Sequence, residues 1–374
     1  MKIVHTYINN MYIDPNDESK ECFANKWGLV SLAKLGHEVT LICGNDSGSK
    51  TKKEYFWNGI KVIELPVLFG INNTSRLLKK NVKELREIDA DIFHSHHYCS
   101  FIPELTVLVG KLRKIPTFVT FHNTLVEGNI LTKFLGLIYL LVMQPFLQLY
   151  FKIFFISEYT KDKLFFNLIP RNKKVVIYNN MIEPKKIKIV KKEQSILFIG
   201  RLTHQKGVDI IIKALKIVKK DFLSIRLNII GPGSKRYNKN LKKLVKKNNL
   251  KEHVNFLGEK FGKEKWKEFY SNQILIVPSR DEGFGNVVIE GMLCDVPVIT
   301  SNKGALPEAG GGKSIIFNIN KPEDLARKII NLLKNEELRE KLSKEGKNYA
   351  QNFTKNTIGK RLIKEYENAI RKTS

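Results

Sequence analysis

The chain has 374 residues, too many for one ordinary hydrophobic core and enough for two domains of roughly 150–200 residues each. Sixty-four Lys and Arg against 37 Asp and Glu leave a formal net charge of +27, which asks for an anionic counterpart: nucleic acid, an anionic membrane surface or an anionic substrate. No short repeat or low-complexity tract accompanies the charge, which argues against a solenoid or a disordered scaffold, and no aromatic stacking pattern or groove-reading motif speaks for nucleic acid.

Taken in chain order, Met1-Lys2-Ile3-Val4-His5 opens directly as a short strand, with no secretory signal in view. Strand-like runs then alternate with helical ones: Lys2 to Tyr7, Val39 to Cys43, Lys61 to Leu65, Ile92 to Ser95, Pro116 to Phe121, Ile153 to Ile156 and Val175 to Tyr178. Such alternation predicts a doubly wound sheet. Cys22, Cys43, Cys99 and Cys294 are scattered without a CxxC pair, as free thiols in a reducing, cytoplasmic compartment would be. The stretch Ile130 to Ile156 is long enough to span a bilayer but is interrupted by Gln144, Pro145, Gln148 and Lys152. A helix over Asn129 to Tyr150 followed by a strand Lys152 to Ser157 accounts for it, leaving either a membrane-apposed surface, a groove for a lipid tail or burial beneath neighbouring helices.

A lysine-rich segment, 183–194, separates the halves and reads as a linker. The pattern restarts with Ser195 to Ile199, Ser224 to Ile230, Asn255 to Leu257, Ile274 to Val277, Pro297 to Thr300 and Ser314 to Phe317. Between them, Lys235 to Lys251 reads as a helix whose lysines surround a thin Leu241, Leu244, Val245 stripe. A last helix, Asn356 to Lys372, carries an apolar stripe through Ile358, Leu362, Tyr366 and Ile370 that must pack on something. The expected domains are 1–182 with the terminal helix 356–374, and 195–355.

Four motifs carry chemistry. Gly200-Arg201 through Lys206-Gly207 ends a strand in a glycine and sets two cations five positions apart before a helix, an arrangement suited to a diphosphate. Ser279-Arg280-Asp281-Glu282-Gly283-Phe284-Gly285-Asn286-Val287-Val288-Ile289-Glu290 places two carboxylates eight positions apart around a glycine turn between a strand and a helix. Each carboxylate can accept from vicinal hydroxyls, and the first helical turn offers free N–H groups. Ser301 to Glu308 follows the next strand as a polar loop at the edge where open α/β sheets bind ligands. In the first half, Val119-Thr120-Phe121-His122-Asn123 ends a strand in a histidine; His5, His94, His96 and His97 are weaker candidates. His94-x-His96-His97 lacks a suitably spaced carboxylate, and Asp89-Ala90-Asp91 precedes a buried strand of the wrong half, so no metal site is expected.

With these motifs, and with Leu32 to Thr40 (LAKLGHEVT), Asp91 to His96 (DIFHSH), the turn Ser157 to Thr160, the Pro-Ser-Arg lead-in and the loop ending at Pro307-Glu308, the chain resembles the retaining glycosyltransferases of the GT-B fold, family 4 or "glycosyl transferases group 1" type. The resemblance covers nearly the whole chain and is strongest from Leu197 to Glu308. It implies an α/β GT-B architecture, two Rossmann-like doubly wound domains facing each other across a cleft, with the C-terminal helix crossing back to the first. It implies a catalytic set of His122, Glu282, Arg201 and Lys206. Donor binding would fall to Gly200, Arg201, Lys206, Lys260, Phe261, Glu282, Gly283, Phe284, Gly285, Asn286, Val287 and Glu290. By that resemblance Arg201 and Lys206 grip the donor diphosphate, Glu282 and His122 meet the transferred sugar, Glu290 holds the ribose, and Gly258 to Phe261 flank the base.

The implied reaction moves a hexose from a UDP- or GDP-sugar to an acceptor hydroxyl with retention, without metal or other cofactor. The acceptor would be a glycan or lipid-linked glycan, and the charge suits peripheral attachment to the anionic inner face of a membrane. One departure stands out: Ile8 to Phe23 is long, polar and free of the glycines usual after the first strand. The competing readings are a sugar-nucleotide epimerase and a basic membrane- or nucleic-acid-binding protein on a degenerate scaffold of the same fold.

Overall fold

The computed structural model describes residues 1–9, 13–14, 16, 27–45, 50–71, 75–78, 81–97, 101–122, 134, 138, 141–142, 144–163, 169–184, 187–190 and 192–373. They form two compact units, Met1–Asn180 with Lys355–Ser374, and Met181–Thr354.

The first unit is built on β1 (Lys2–Thr6), β2 (Glu38–Gly44), β3 (Lys53–Trp57), β4 (Ile60–Leu65), β7 (Ile92–His97), β8 (Thr117–Phe121), β9 (Lys152–Phe155) and β10 (Lys174–Val176). Their order in the sheet is β10-β9-β8-β7-β1-β2-β4-β3, parallel except for β3. β5 (Val67–Ile71) and β6 (Ser75–Leu78) form a separate antiparallel ribbon. Central strands such as β8 (TFVTF) are buried at every residue, as β-branched and aromatic runs in a sheet covered on both faces must be. The sheet order reverses direction between β1 and β7, the kind of switch point at which open α/β sheets bind ligands.

The C-terminal helix, Lys355–Thr373, lays Ile358, Leu362, Tyr366 and Ala369 into this unit's core. Ala369 takes the innermost place that the sequence stripe assigns to Ile370, which is only partly buried.

The second unit contains β11 (Ser195–Ile199), β12 (Arg226–Ile230), β13 (Val254–Phe256), β14 (Ile274–Val277), β15 (Val298–Ser301) and β16 (Ile315–Phe317), all parallel, in the order β13-β12-β11-β14-β15-β16. Its switch point lies between β11 and β14. The segment expected to be a linker belongs to this unit. Met181 N–H donates to Phe353 O at 2.7 Å, and Lys192 N–H to Ser271 O at 2.8 Å.

Three expectations are corrected. β3, which pairs antiparallel through Asn58-Gly59 with the expected strand Lys61 to Leu65 (β4), and the β5–β6 ribbon do not appear in the alternating pattern. The lysine-rich helix stops at Lys247, not Lys251, because Asn248 turns its amide back to Leu244 O at 2.8 Å and Asn249 takes a left-handed φ of 54°. The apolar helix of the first half ends before Gln148 and Leu149, which form a turn, so it does not reach Tyr150. Its other described residues are helical; the remainder lies outside the described residues, as do Asn123, Cys22, Cys99 and most of the loop Ile8 to Phe23. Among the described residues no helix is long and apolar enough to cross a membrane.

Candidate functional site

In the second unit the C-terminal ends of the parallel strands bring the two sequence motifs together. β11 runs into Gly200, whose neighbours Arg201 and Leu202 are followed by the short turn His204–Lys206 and the helix Val208–Val218. Gly207 is the N-cap of that helix at φ 72°, and a Cβ there would stand 2.0 Å from Pro278 O. Only glycine lets this turn press on the end of β14. Gly231, at the end of β12, has φ 134° and would set a Cβ 2.0 Å from Gly200 O, so the two strand ends touch through bare backbone.

The pressed turn delivers Lys206 to the second motif. Its Nζ donates to Glu282 Oε2 at 2.5 Å, and Ser279 Oγ donates to the same oxygen at 3.1 Å. Both charged side chains keep about a fifth of their surface, 19% and 20%, so the pair is reachable by a ligand. Arg280 locks the arrangement from behind, with a bidentate bond to Asp209 at 2.8 and 3.0 Å and a further bond to His204 O at 2.5 Å. On the other side Gly304, φ 62°, lies against the Glu282 backbone; a Cβ there would meet Glu282 N at 2.5 Å. Ala305 N–H donates to Glu282 O at 2.9 Å. Glu282 thus has its backbone and side chain fixed from three directions.

After Glu282, Gly285 caps the helix Asn286–Leu293 at φ 102°, leaving the first-turn amides of Asn286 and Val287 without intrahelical acceptors. Phe284 is buried, its ring 5.6 Å from that of Phe353, so at Gly283 and Phe284 the backbone is what faces a ligand. Arg201 is exposed and makes no ion pair among the described residues. Lys260 pairs with Glu268 at 3.0 Å, and Phe261 is exposed.

Glu290 is buried and holds Lys265 at 3.1 Å; Lys265 also lies over the Trp266 ring. Sequence reasoning missed Lys265. In the polar run GKEKWKEFYS nothing marks one lysine as turned inward, and only the helix phase, with Trp266 and Phe269 buried beside it, points there.

In the first unit, the strand register gathers histidines on one face. His5 pairs with His94 across β1 and β7, and His96 with Thr120 across β7 and β8, while His122 follows two residues after Thr120. His5 Nδ1 is 2.9 Å from His96 Nε2, and His96 Nδ1 is 2.8 Å from His122 Nε2. His94 bonds to Thr120 Oγ1 at 2.7 Å and to the Tyr366 hydroxyl, brought by the C-terminal helix, at 2.5 Å. Trp27 lies flat on His122, ring centroids 3.8 Å apart.

Burial drives the His5 ring down to about 3 and those of His94 and His96 well below the usual histidine range, with mutual repulsion adding to the shift of the latter two. The nearest nitrogens of His5, His94 and His96 fall within 4.8 Å of one another. Both ring nitrogens of His94 and His96 and Nδ1 of His5 are already hydrogen-bonded, so a cation would have to break this row to bind. Asp89 and Asp91 sit at the opposite, N-terminal end of β7, bonded to Lys2.

Comparison with known proteins bears on this geometry. A sequence-family model described as Glycosyl transferases group 1 matches residues 179–349, and one described as Glycosyltransferase Family 4 matches residues 30–180. The chain is 39% identical over 219 residues to an uncharacterized glycosyltransferase of Methanocaldococcus jannaschii, covering 57% of this chain and 59% of that one. It is 28% identical over 206 residues to the capsular polysaccharide biosynthesis glycosyltransferase CapM of Staphylococcus aureus, covering 52% and 51%. The chain thus matches less than two thirds of the length of these curated relatives.

Among solved structures it is similar to Anabaena HepE in complex with UDP and glucose, with TM-score 0.74 and 16% identity over 98% of this chain and 100% of that one. It is similar also to sucrose-phosphate synthase from Thermosynechococcus elongatus, with TM-score 0.75 and 18% identity over 100% of both. At such identities the likeness is one of fold.

Proposed function

This chain belongs to the family 4, group 1 glycosyltransferases of GT-B fold, and from that premise we propose that it transfers a hexose from a nucleoside-diphosphate sugar to an acceptor hydroxyl with retention of anomeric configuration. The observation that carries this reading is the Lys206–Glu282 pair at the switch point of the second unit's sheet, held open to solvent beside two helix N-termini. A diphosphate at that edge is met by Lys206, Arg201 and the first-turn amides of Asn286 and Val287. These donors gain strength as the diphosphate departs with added charge, a stabilisation that asks for no divalent ion. Glu282, released from Lys206 by the phosphate, takes sugar hydroxyls. Glu290 takes the ribose. The UDP bound in HepE favours a uridine donor among the candidates.

Thermal unfolding with UDP, GDP and ADP tests the reading. The matching nucleotide at a hundredfold its Kd adds about 2.7 kcal/mol. No response to any of the three would sink the donor site. A panel of sugar nucleotides, followed for slow hydrolysis with and without EDTA, then identifies base and sugar, and turnover abolished by EDTA would overturn metal independence.

The acceptor is proposed to be lipid-linked, with the enzyme at an anionic membrane surface. Support comes from Phe134, Ile138, Leu141 and Val142, which stand 57%, 41%, 49% and 57% exposed on the apolar segment of a chain of net charge +27. Flotation with vesicles containing anionic phospholipid, lost in vesicles of zwitterionic lipid alone, is the expected result; equal absence from both would refute it.

A further inference from the structure

β14 leaves the second unit's sheet at Pro278 and passes through Ser279 before the turn that carries Glu282. Ser279 is 1% exposed, and its hydroxyl donates to Glu282 Oε2 at 3.1 Å, the same oxygen that Lys206 Nζ reaches at 2.5 Å. A carboxylate oxygen offers two lone pairs, so these two donors fill Oε2. Oε1 makes no hydrogen bond among the described residues and is not sealed from solvent. Resting on the reading of Glu282 as the carboxylate at the transferred sugar, we infer that Ser279 is a positioning residue of the reaction: it holds one oxygen of Glu282 inward, so that the sugar meets Glu282 through the other oxygen alone.

Lys206 cannot give this support while a diphosphate is bound, because the phosphate takes its ammonium. The terminal torsion of a glutamate is broad and two-fold, and a carboxylate held by nothing else would swing. Ser279 stays where it is. Its O–H is sealed from water with Glu282 as its acceptor, so turning away would leave a buried donor unsatisfied. The backbone around it is fixed on both sides. Ser301 Oγ, fully buried at the end of β15, donates to Ser279 O at 2.5 Å, and Arg280 N–H donates to Gln205 O at 2.7 Å.

Glu282 is therefore held at both ends: at its backbone by Gly304 and the Ala305 N–H, and at its carboxylate by Ser279. An acceptor set in place before the sugar arrives needs no ordering as the transition state forms, which puts the effect of Ser279 in kcat. The Ser279 hydroxyl makes no bond to Lys206 or Arg201, so the grip on the diphosphate does not depend on it.

The test uses Ser279→Ala, which removes the hydroxyl without adding bulk, and the isosteric pair Ser279→Thr and Ser279→Val, which add the same bulk with and without a hydroxyl. With UDP-glucose, or whichever sugar nucleotide the wild type turns over instead, Ser279→Ala should lose at least about tenfold in kcat, and Ser279→Thr should outpace Ser279→Val by a similar factor. The Kd of the matching nucleoside diphosphate should stay within about twofold of wild type. An unchanged kcat in Ser279→Ala, or an active Ser279→Val enzyme that matches Ser279→Thr, would overturn the proposal. So would a loss of nucleotide affinity as large as the loss of rate, which would mean that Ser279 only keeps the site folded. An NMR spectrum of the full chain with glutamate carbon-13 labelled at the side-chain carboxyl, at pH 7.5 and without nucleotide, reads the bond directly. The Glu282 signal, assigned as the one lost in Glu282→Gln, should move in Ser279→Ala and far less in Ser279→Thr; a signal unmoved in Ser279→Ala would also overturn the proposal. The spectrum needs no turnover. A chain that transfers no sugar therefore refutes the proposed function, while the spectrum still decides whether Ser279 holds Glu282.

Discussion

At the residue scale, the decisive pair is Lys206 and Glu282. Lys206→Ala and Glu282→Ala should each abolish turnover. Because both side chains are partly exposed, breaking the pair should cost about 1 kcal/mol or less, so circular dichroism and the unfolding midpoint should change little. An active Lys206→Ala enzyme would remove the diphosphate assignment. Gly304→Ala tests the support behind Glu282: its Cβ would collide with the Glu282 backbone at a left-handed φ of 62°, so activity should fall without any change to a charged group. Both members of the pair were legible, because each lies in a motif with its own chemical logic. Their mutual bond was not, since it depends on two glycine contacts between segments far apart in sequence. Lys265, the partner of Glu290, was illegible for a different reason: a buried lysine in a polar helix looks like a solvated one until the neighbouring strands are placed.

At the scale of elements, β1 and β7 share a liability. His5 is held near 3 and His94 and His96 are likewise depressed, against an unfolded value near 6.5. As pH falls through 6.5 the unfolded chain takes up protons that the folded sheet refuses. The stability these rings contribute is therefore complete above about pH 7 and is lost progressively below 6.5, by up to about 1.4 kcal/mol per pH unit for each ring. Urea midpoints at pH 7.5 and 5.5, followed by the fluorescence of Trp27 and Trp57, should show the first unit weakening; equal midpoints would contradict the burial of neutral rings. The alternation that marks these strands was plain in the sequence, yet the histidine row needed the parallel register of three separate strands. The β3–β4 hairpin carried a local signal that the doubly wound reading passed over. Asn58 and Gly59 both have positive φ, 50° and 79°, the pairing that a two-residue hairpin turn requires.

At the scale of the whole molecule, chain order and unit membership part company at the C-terminus. The stripe Ile358, Leu362, Tyr366 announces a helix with a face to bury, but its partner could not be read from neighbours in sequence. The helix closes the core of the unit that the chain left at residue 180 and supplies the hydroxyl that holds His94. Ending the chain at Thr354 should therefore unfold the first unit, because removing the buried Ile358, Leu362 and Tyr366 at about 2–5 kcal/mol each costs as much as the 5–15 kcal/mol by which a domain is normally stable. The second unit keeps its own core of Ile196, Phe198, Leu215, Ile229, Ile276 and Ile329 and should persist. Limited proteolysis of the shortened chain should leave a resistant fragment beginning near Met181, whereas the full chain protects both units. Tyr366→Phe separates the two contributions of the helix. It keeps the ring in the core and removes only the bond to His94, so it should cost about 1–3 kcal/mol of first-unit stability with both units still protected. Proteolysis of the first unit in Tyr366→Phe to the extent seen in the truncation would mean that the hydroxyl, and not the apolar face, is what makes the helix indispensable.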